Sequence, residues 1–143
     1  MTNAAIVRRL GGARVVRRAI RTDLDWVEAL RAGLPPEAAD ALVDGEVLSA
    51  EELYRVVIPR RTLAFRKQRG QLLTPEESDR LGRVARALVA AEEMLGDAGK
   101  VHRWLRKPNR GLGGEVPLEL LRTEAGARLV EQALGRIEHG IVA

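Results

Sequence analysis

Apolar positions recur along this chain at three- and four-residue intervals, and no segment alternates strictly between apolar and polar. That period predicts an all-α protein. Asp23 or Asp25 caps a first clear segment in which Trp26, Val27 and Leu30 share a face, and Gly33 ends it. Pro35–Pro36 opens the next, where Ala38, Ala41 and Leu42 repeat at helical spacing up to Gly45. Ser49 followed by Glu52 makes a capping box for a helix whose stripe is Leu53, Val56 and Val57. Val57-Ile58-Pro59 breaks that helix, because proline lacks an N–H and disfavours helical geometry in the residue before it. A second short helix is predicted from about Pro59, as its first helical residue, to Arg69, ending at Gly70. It has little to bury beyond Leu63 and one side of Phe65.

Thr74, Pro75 and Glu77 give a cap, a first-turn proline and a reciprocal glutamate in order. The helix they open is long, with Leu81, Val84, Ala85, Leu88, Ala91 and Leu95 inward and Gly96 as its end. Asp97 starts another helix, with Val101, Trp104 and Leu105 inward, and a Gly/Pro-rich stretch over 107–114 follows. Pro117 to Leu121 makes one turn. Thr123 and Glu124 open a last helix striped by Val130, Leu134 and Ile137, and Gly140 ends it before the apolar tail Ile141-Val142-Ala143. Three regions follow: a basic arm over 1–22, expected to be partly disordered with a short helix from Ala13 to Ile20; a helical unit over 23–96; and a C-terminal unit over 97–143.

Charge sharpens this outline. The 143 residues hold 24 Lys and Arg against 20 Asp and Glu, a formal charge of +4. Only Lys67, Lys100 and Lys107 are lysines, and arginine is the better partner for phosphates and guanine edges. The arm carries Arg8, Arg9, Arg14, Arg17, Arg18 and Arg21 with no acid, which suits either a solvated tail or an arm lying along nucleic acid or an acidic partner. Aromatic residues are too few, at 3%, for a base-stacking RNA platform. Zero cysteines exclude disulfides, thiolate zinc sites and a cysteine nucleophile, and two histidines without ligand spacing leave no expected metal site. No phosphate loop and no paired catalytic carboxylates appear, so neither an enzyme nor a cofactor is expected. With no apolar run near ~20 residues and no leader pattern, a soluble cytoplasmic protein is expected.

The stretch LSAEELYRVVIPRRTLAFRKQRGQ has the anatomy of a helix-turn-helix over 49–70: a capped helix, a tight break and a second helix crowded with donors. Six basic residues and no acid lie between Arg55 and Arg69. Arg60, Arg61 and Thr62 fall in the first turn, the part of a recognition helix that reaches base edges, and Arg66 and Lys67 fall one turn later. The same spacing also fits a solvated basic helix on a protein that binds something else. Trp26 and Trp104 read as core anchors, and Tyr54 reads as a half-buried packing residue or as one whose hydroxyl touches a phosphate. The apolar tail fits either a fraying end or an anchor in a partner's pocket.

Several motifs in combination resemble the Xre/MbcA/ParS-like antitoxins that accompany RES-domain toxins. They are P-R-R-T-L with the basic helix after it, L-T-P-E-E-S-D-R-L, W-L-x-x-P-N-x-x-L-G-G, P-L-x-L-L-x-T-x-x-G, and the terminal G-R-I-E-H-G. The resemblance covers about residues 33–143. It implies an Xre-like helix-turn-helix followed by a toxin-binding C-terminal region. It also implies a partner toxin that consumes NAD⁺, and repression of the antitoxin's own operon by a dimer on double-stranded operator DNA. Arg60, Arg61, Thr62, Arg66 and Lys67 then match the DNA-facing helix. Asn109, Arg110, Gly113, Gly114, Gly140, Ile141, Val142 and Ala143 match the toxin-binding region, with the tail as the plug of the toxin's active-site entrance. The long helix from Pro75 to Leu95 is expected to form part of the dimer interface. A stand-alone regulator or partition adaptor without a toxin is the competing reading.

Overall fold

The computed structural model describes residues 2–138. The helices are α1 (Asn3–Arg9), α2 (Ala13–Val16), α3 (Asp23–Ala32), α4 (Glu37–Asp44), α5 (Ala50–Val56), α6 (Arg60–Arg69), α7 (Pro75–Leu95), α8 (Ala98–Arg106), α9 (Pro117–Leu120) and α10 (Glu124–Glu138). A 3₁₀ turn at Arg110–Leu112 interrupts the loop after α8, closed by a single antiparallel bridge between Asn109 and Glu115. No β-strand occurs among the described residues, and none of their helices is long and apolar enough to cross a membrane.

α7 is the axis on which the rest is built. α1, α3, α8 and α10 all pack against it. Its inward residues Leu81, Val84, Ala85, Ala87, Leu88 and Ala91 are fully buried. Trp26 of α3 lies so close that a Cβ on Gly82 would stand 2.9 Å from its Cζ2, which is why a glycine sits in the middle of a long helix. The link before α4 is tied to α7 by the buried Ser78 hydroxyl, which accepts the Leu34 N–H at 2.8 Å.

Caps behave as local chemistry requires. Ser49 with Glu52 and Thr74 with Glu77 form capping boxes, and Gly70 and Gly96 end α6 and α7 in left-handed geometry. α3 also has a capping box, made by Thr22 with Asp25 rather than by an aspartate cap.

The N-terminal arm departs most from expectation. Thr2 caps α1, and Ile6, Leu10 and Val16 are buried in the common core. Arg9 ion-pairs with Glu92 of α7. The second helix stops at Val16 rather than Ile20, where Arg17 turns the chain at φ 63°. Three apolar side chains suffice to dock the segment, burying on the order of 1.5–3 kcal/mol of apolar surface each.

Candidate functional site

α5 and α6 meet at a buried hinge. The Val57 and Ile58 N–H groups both donate to the Leu53 carbonyl, at 2.8 and 3.1 Å, closing α5. Pro59 follows at φ −58°, ψ 144° and is the N-cap of α6, not its first helical residue. The extended ψ turns the chain sharply, and α6 begins at Arg60.

α6 buries one side chain, Leu63. At ~100° per residue, Arg61, Phe65, Gln68 and Arg69 lie on the side away from it. All four are exposed. The Arg69 guanidinium sits 5.0 Å from the Phe65 ring centroid, a cation–π contact that orders the pair. Arg60 and Arg61 are exposed, and no described carboxylate pairs with either, so their forked donors are available for a guanine edge or a phosphate. Thr62 is half-buried on the flank.

The other two expected contacts are engaged by carboxylates of the same chain. Arg66 gives Nε to Glu77 Oε1 at 3.1 Å and Nη2 to Glu77 Oε2 at 3.2 Å, and its Nη1 donates to Gln71 Oε1 at 3.1 Å. With its three donor nitrogens engaged, Arg66 fixes α6 to α7 instead of facing outward as expected. Burial pushes the Glu77 carboxyl up, but the Arg66 hydrogen bonds, the Thr74 N–H and the Arg66 charge outweigh it and hold the group below its ordinary value. Lys67 pairs with Asp40 at 2.7 Å, but both side chains are well exposed, so that pair is weak and exchangeable.

The loop after α8 divides in the same way. Asn109 is buried, and its Oδ1 accepts the Gly111 N–H at 2.8 Å while its carbonyl accepts the N–H groups of Leu112 and Gly114 at 3.0 and 2.9 Å. Asn109 therefore shapes the loop from within, where the sequence suggested a direct contact. Arg110, Gly113 and Gly114 are exposed, the glycines at φ 67° and 84°. Gly140, Ile141, Val142 and Ala143 lie outside the described residues, as does His139.

Residues 25–86 match the Antitoxin Xre-like helix-turn-helix domain, and residues 90–140 match the Antitoxin Xre/MbcA/ParS C-terminal toxin-binding domain. The Antitoxin Xre of Yersinia enterocolitica is 37% identical over 117 residues, covering 80% of this chain and 79% of that protein. The chain belongs to the Xre antitoxin family. The Antitoxin Xre of Photorhabdus laumondii is 35% identical over 115 residues, 79% of this chain and 78% of that one. A protein of Sphingobium sp. named Prs ADP-ribosylating antitoxin is 33% identical over 82 residues, about half of each chain (51% and 52%). In this Xre-family chain, α5 and α6 fall inside the matched helix-turn-helix region, and the loop over 109–114 falls inside the matched toxin-binding region.

Phe65, Gln68 and Arg69 share the outward side of α6 but were not among the DNA contacts expected from sequence. The signal was present: each lies roughly opposite Leu63 on a helical wheel.

Proposed function

We propose that this chain is a type II antitoxin with two activities. It represses its own operon by placing α6 in the major groove of operator DNA as a homodimer in the cytoplasm. It also neutralises a RES-domain, NAD⁺-consuming toxin by covering the toxin's active site with its C-terminal region. The observation that carries the first activity is the outward face of α6, where Arg60 and Arg61 stand exposed without an internal counter-charge, inside a region matching a helix-turn-helix domain. The match of residues 90–140 to a toxin-binding domain supports the second. Arg60, Arg61 and Thr62 read bases from the first turn of α6, and Lys67 exchanges Asp40 for a phosphate. Arg66 positions the helix from behind. Arg110, Gly113, Gly114 and residues 140–143 meet the toxin.

The test is a pair of assays on one variant. Arg61→Ala is expected to derepress a reporter driven by the chain's own promoter while still rescuing cells from the RES-domain toxin encoded beside it. Repression that survives the loss of both Arg60 and Arg61 refutes the DNA half. A genome neighbourhood without any RES-domain reading frame refutes the toxin half and leaves a stand-alone regulator.

A further inference from the structure

Beside the start of α6 the surface opens into a groove of about 300 Å³. Tyr54, Arg55, Val57, Pro59, Arg80 and Arg122 line it. These come from α5, the hinge, α7 and the turn between α9 and α10. Three of the lining residues are arginines, and none is a carboxylate.

The arginines are not equivalent. Arg55 is already neutralised by Glu119, with Nη2 to Oε2 at 2.7 Å and Nε to the same oxygen at 3.1 Å. Arg80 gives Nε to the Val57 carbonyl at 2.8 Å, which fixes its aim at the hinge. Its two terminal nitrogens have no described partner. Arg122 is exposed, and no described carboxylate pairs with it. Arg83 holds it in place through the backbone, donating Nη1 to the Arg122 carbonyl at 3.4 Å. Glu76 and Asp79 line an adjoining groove that Arg80 and Arg122 also border, and Asp79 is engaged there by Arg83 at 2.8 Å. Two positive charges are thus left facing one groove without an internal answer.

We infer that this groove seats a phosphate of the DNA backbone, so that Arg122, a residue of the toxin-binding half, contributes to operator binding together with Arg80. The inference rests on the DNA-binding reading above and adds a contact that lies outside the helix-turn-helix. The placement argues for duplex phosphate over any other anion. The groove abuts Pro59, and Arg60 and Arg61 begin the exposed face immediately after it. A helix lying in a major groove has the two phosphate strands on either side of it, so the protein surface next to the helix end meets backbone and not bases. The half-buried Tyr54 stands in the same lining and can bring its hydroxyl to the same phosphate.

The experiment measures fluorescence anisotropy of two labelled duplexes, one from the chain's own promoter and one of scrambled sequence, across a salt series. The full-length protein is compared with Arg122→Ala and Arg122→Glu, which remove a side chain that no described residue needs for folding. Circular dichroism melting checks that both remain folded. Arg122→Ala is expected to weaken both duplexes by a similar factor, ~3–10-fold at moderate salt, and to lower the slope of log affinity against log salt by about one per protomer. Arg122→Glu is expected to weaken both further. Arg61→Ala serves as the contrast, because it should erase the preference between the duplexes. Unchanged affinity and slope in both Arg122 variants, with the unmodified protein binding normally, overturns the phosphate seat alone. If the unmodified protein binds neither duplex, the DNA-binding reading falls and this proposal falls with it.

Discussion

Glu77 is the residue on which the pose of α6 depends, and its removal can be worked through. Its carboxylate does two things. It completes the α7 capping box by accepting the Thr74 N–H at 2.9 Å, takes both forks of Arg66, and does so while nearly buried, with 10% of its side chain exposed against 21% for Arg66. Glu77→Gln keeps an acceptor for the cap but removes the charge. Hydrogen bonds to charged groups contribute ~1.5–3 kcal/mol and neutral ones ~0.5–1.5, so the amide should cost about 1–2 kcal/mol. Glu77→Ala loses the reciprocal cap as well, about 1 kcal/mol more, and strands the Arg66 guanidinium. A total on the order of 3 kcal/mol lowers the melting temperature of a chain this size by about 10 °C. Circular dichroism melts and urea titrations read both numbers.

The pH dependence gives a sharper check on the same residue. The folded carboxyl titrates below its ordinary value of 4.5. Its contribution is therefore complete above that value and is lost as pH falls through the folded one. A protonated Glu77 resembles glutamine, so the stability gap between the natural protein and Glu77→Gln should close in acid. Glu52 and Asp25 are also held below their ordinary values, but both are present in each protein and cancel in the difference. A gap that stays constant from neutral pH down to about pH 3 would falsify the charge-based account, as would an amide variant as stable as the parent at neutral pH.

Three further outcomes are expected. Gly126→Ala should cost several kcal/mol (roughly 3 or more) in urea titration, because its Cβ would stand 1.9 Å from the Leu120 carbonyl oxygen and force α10 away from α9. Arg106→Ala should cost about 2–4 kcal/mol by the same measurement. Arg106 binds Glu52 at 2.5 and 2.9 Å and the Val47 carbonyl at 2.7 Å, tying α8 to the capping box of α5. Deleting residues 140–143 should abolish rescue from the toxin while leaving operator affinity and melting temperature nearly unchanged; continued rescue removes the plug from the account.

What could be read beforehand divides by range of interaction. Ser49 with Glu52, Thr74 with Glu77, Gly70 and Gly96 are determined within a turn of chain, and so were legible. The docking of the arm was not, because Ile6 and Leu10 are separated from Val16 by Gly11–Gly12, and their burial depends on α7 for α1 and on α4 for α2. Arg60 and Arg66 look alike in sequence. They differ only because the α6–α7 turn brings Glu77 opposite one of them. Arg80 and Arg122 lie far apart along the chain, and only the tertiary fold brings them to one groove.

The same long-range pairs bear on how the two activities can be separated. Arg55 reaches Glu119, Arg106 reaches Glu52, Arg83 reaches Glu124, and Arg86 reaches Glu131 at 2.6 Å. Each pair joins the matched helix-turn-helix region to the matched toxin-binding region. α7 supplies core to both: α3 packs against it from one region and α8 and α10 from the other. Arg83 shows what a cut between them would do, since its guanidinium is 10% exposed and loses Glu124 and the Arg122 carbonyl together. Asp79 stays with it at 2.8 Å, so the loss is that of hydrogen bonds to a charged group, about 1.5–3 kcal/mol each, still a large share of the ~5–15 kcal/mol that holds a domain together. A fragment ending near Gly96 also exposes the apolar face that α7 presents to α10. It should fail to bind DNA because it fails to fold, and its silence would carry no information about which half reads the operator. Separation of the two activities has to come from single exposed side chains, Arg61 and Arg110, which have no side-chain partner among the described residues, or from residues 140–143.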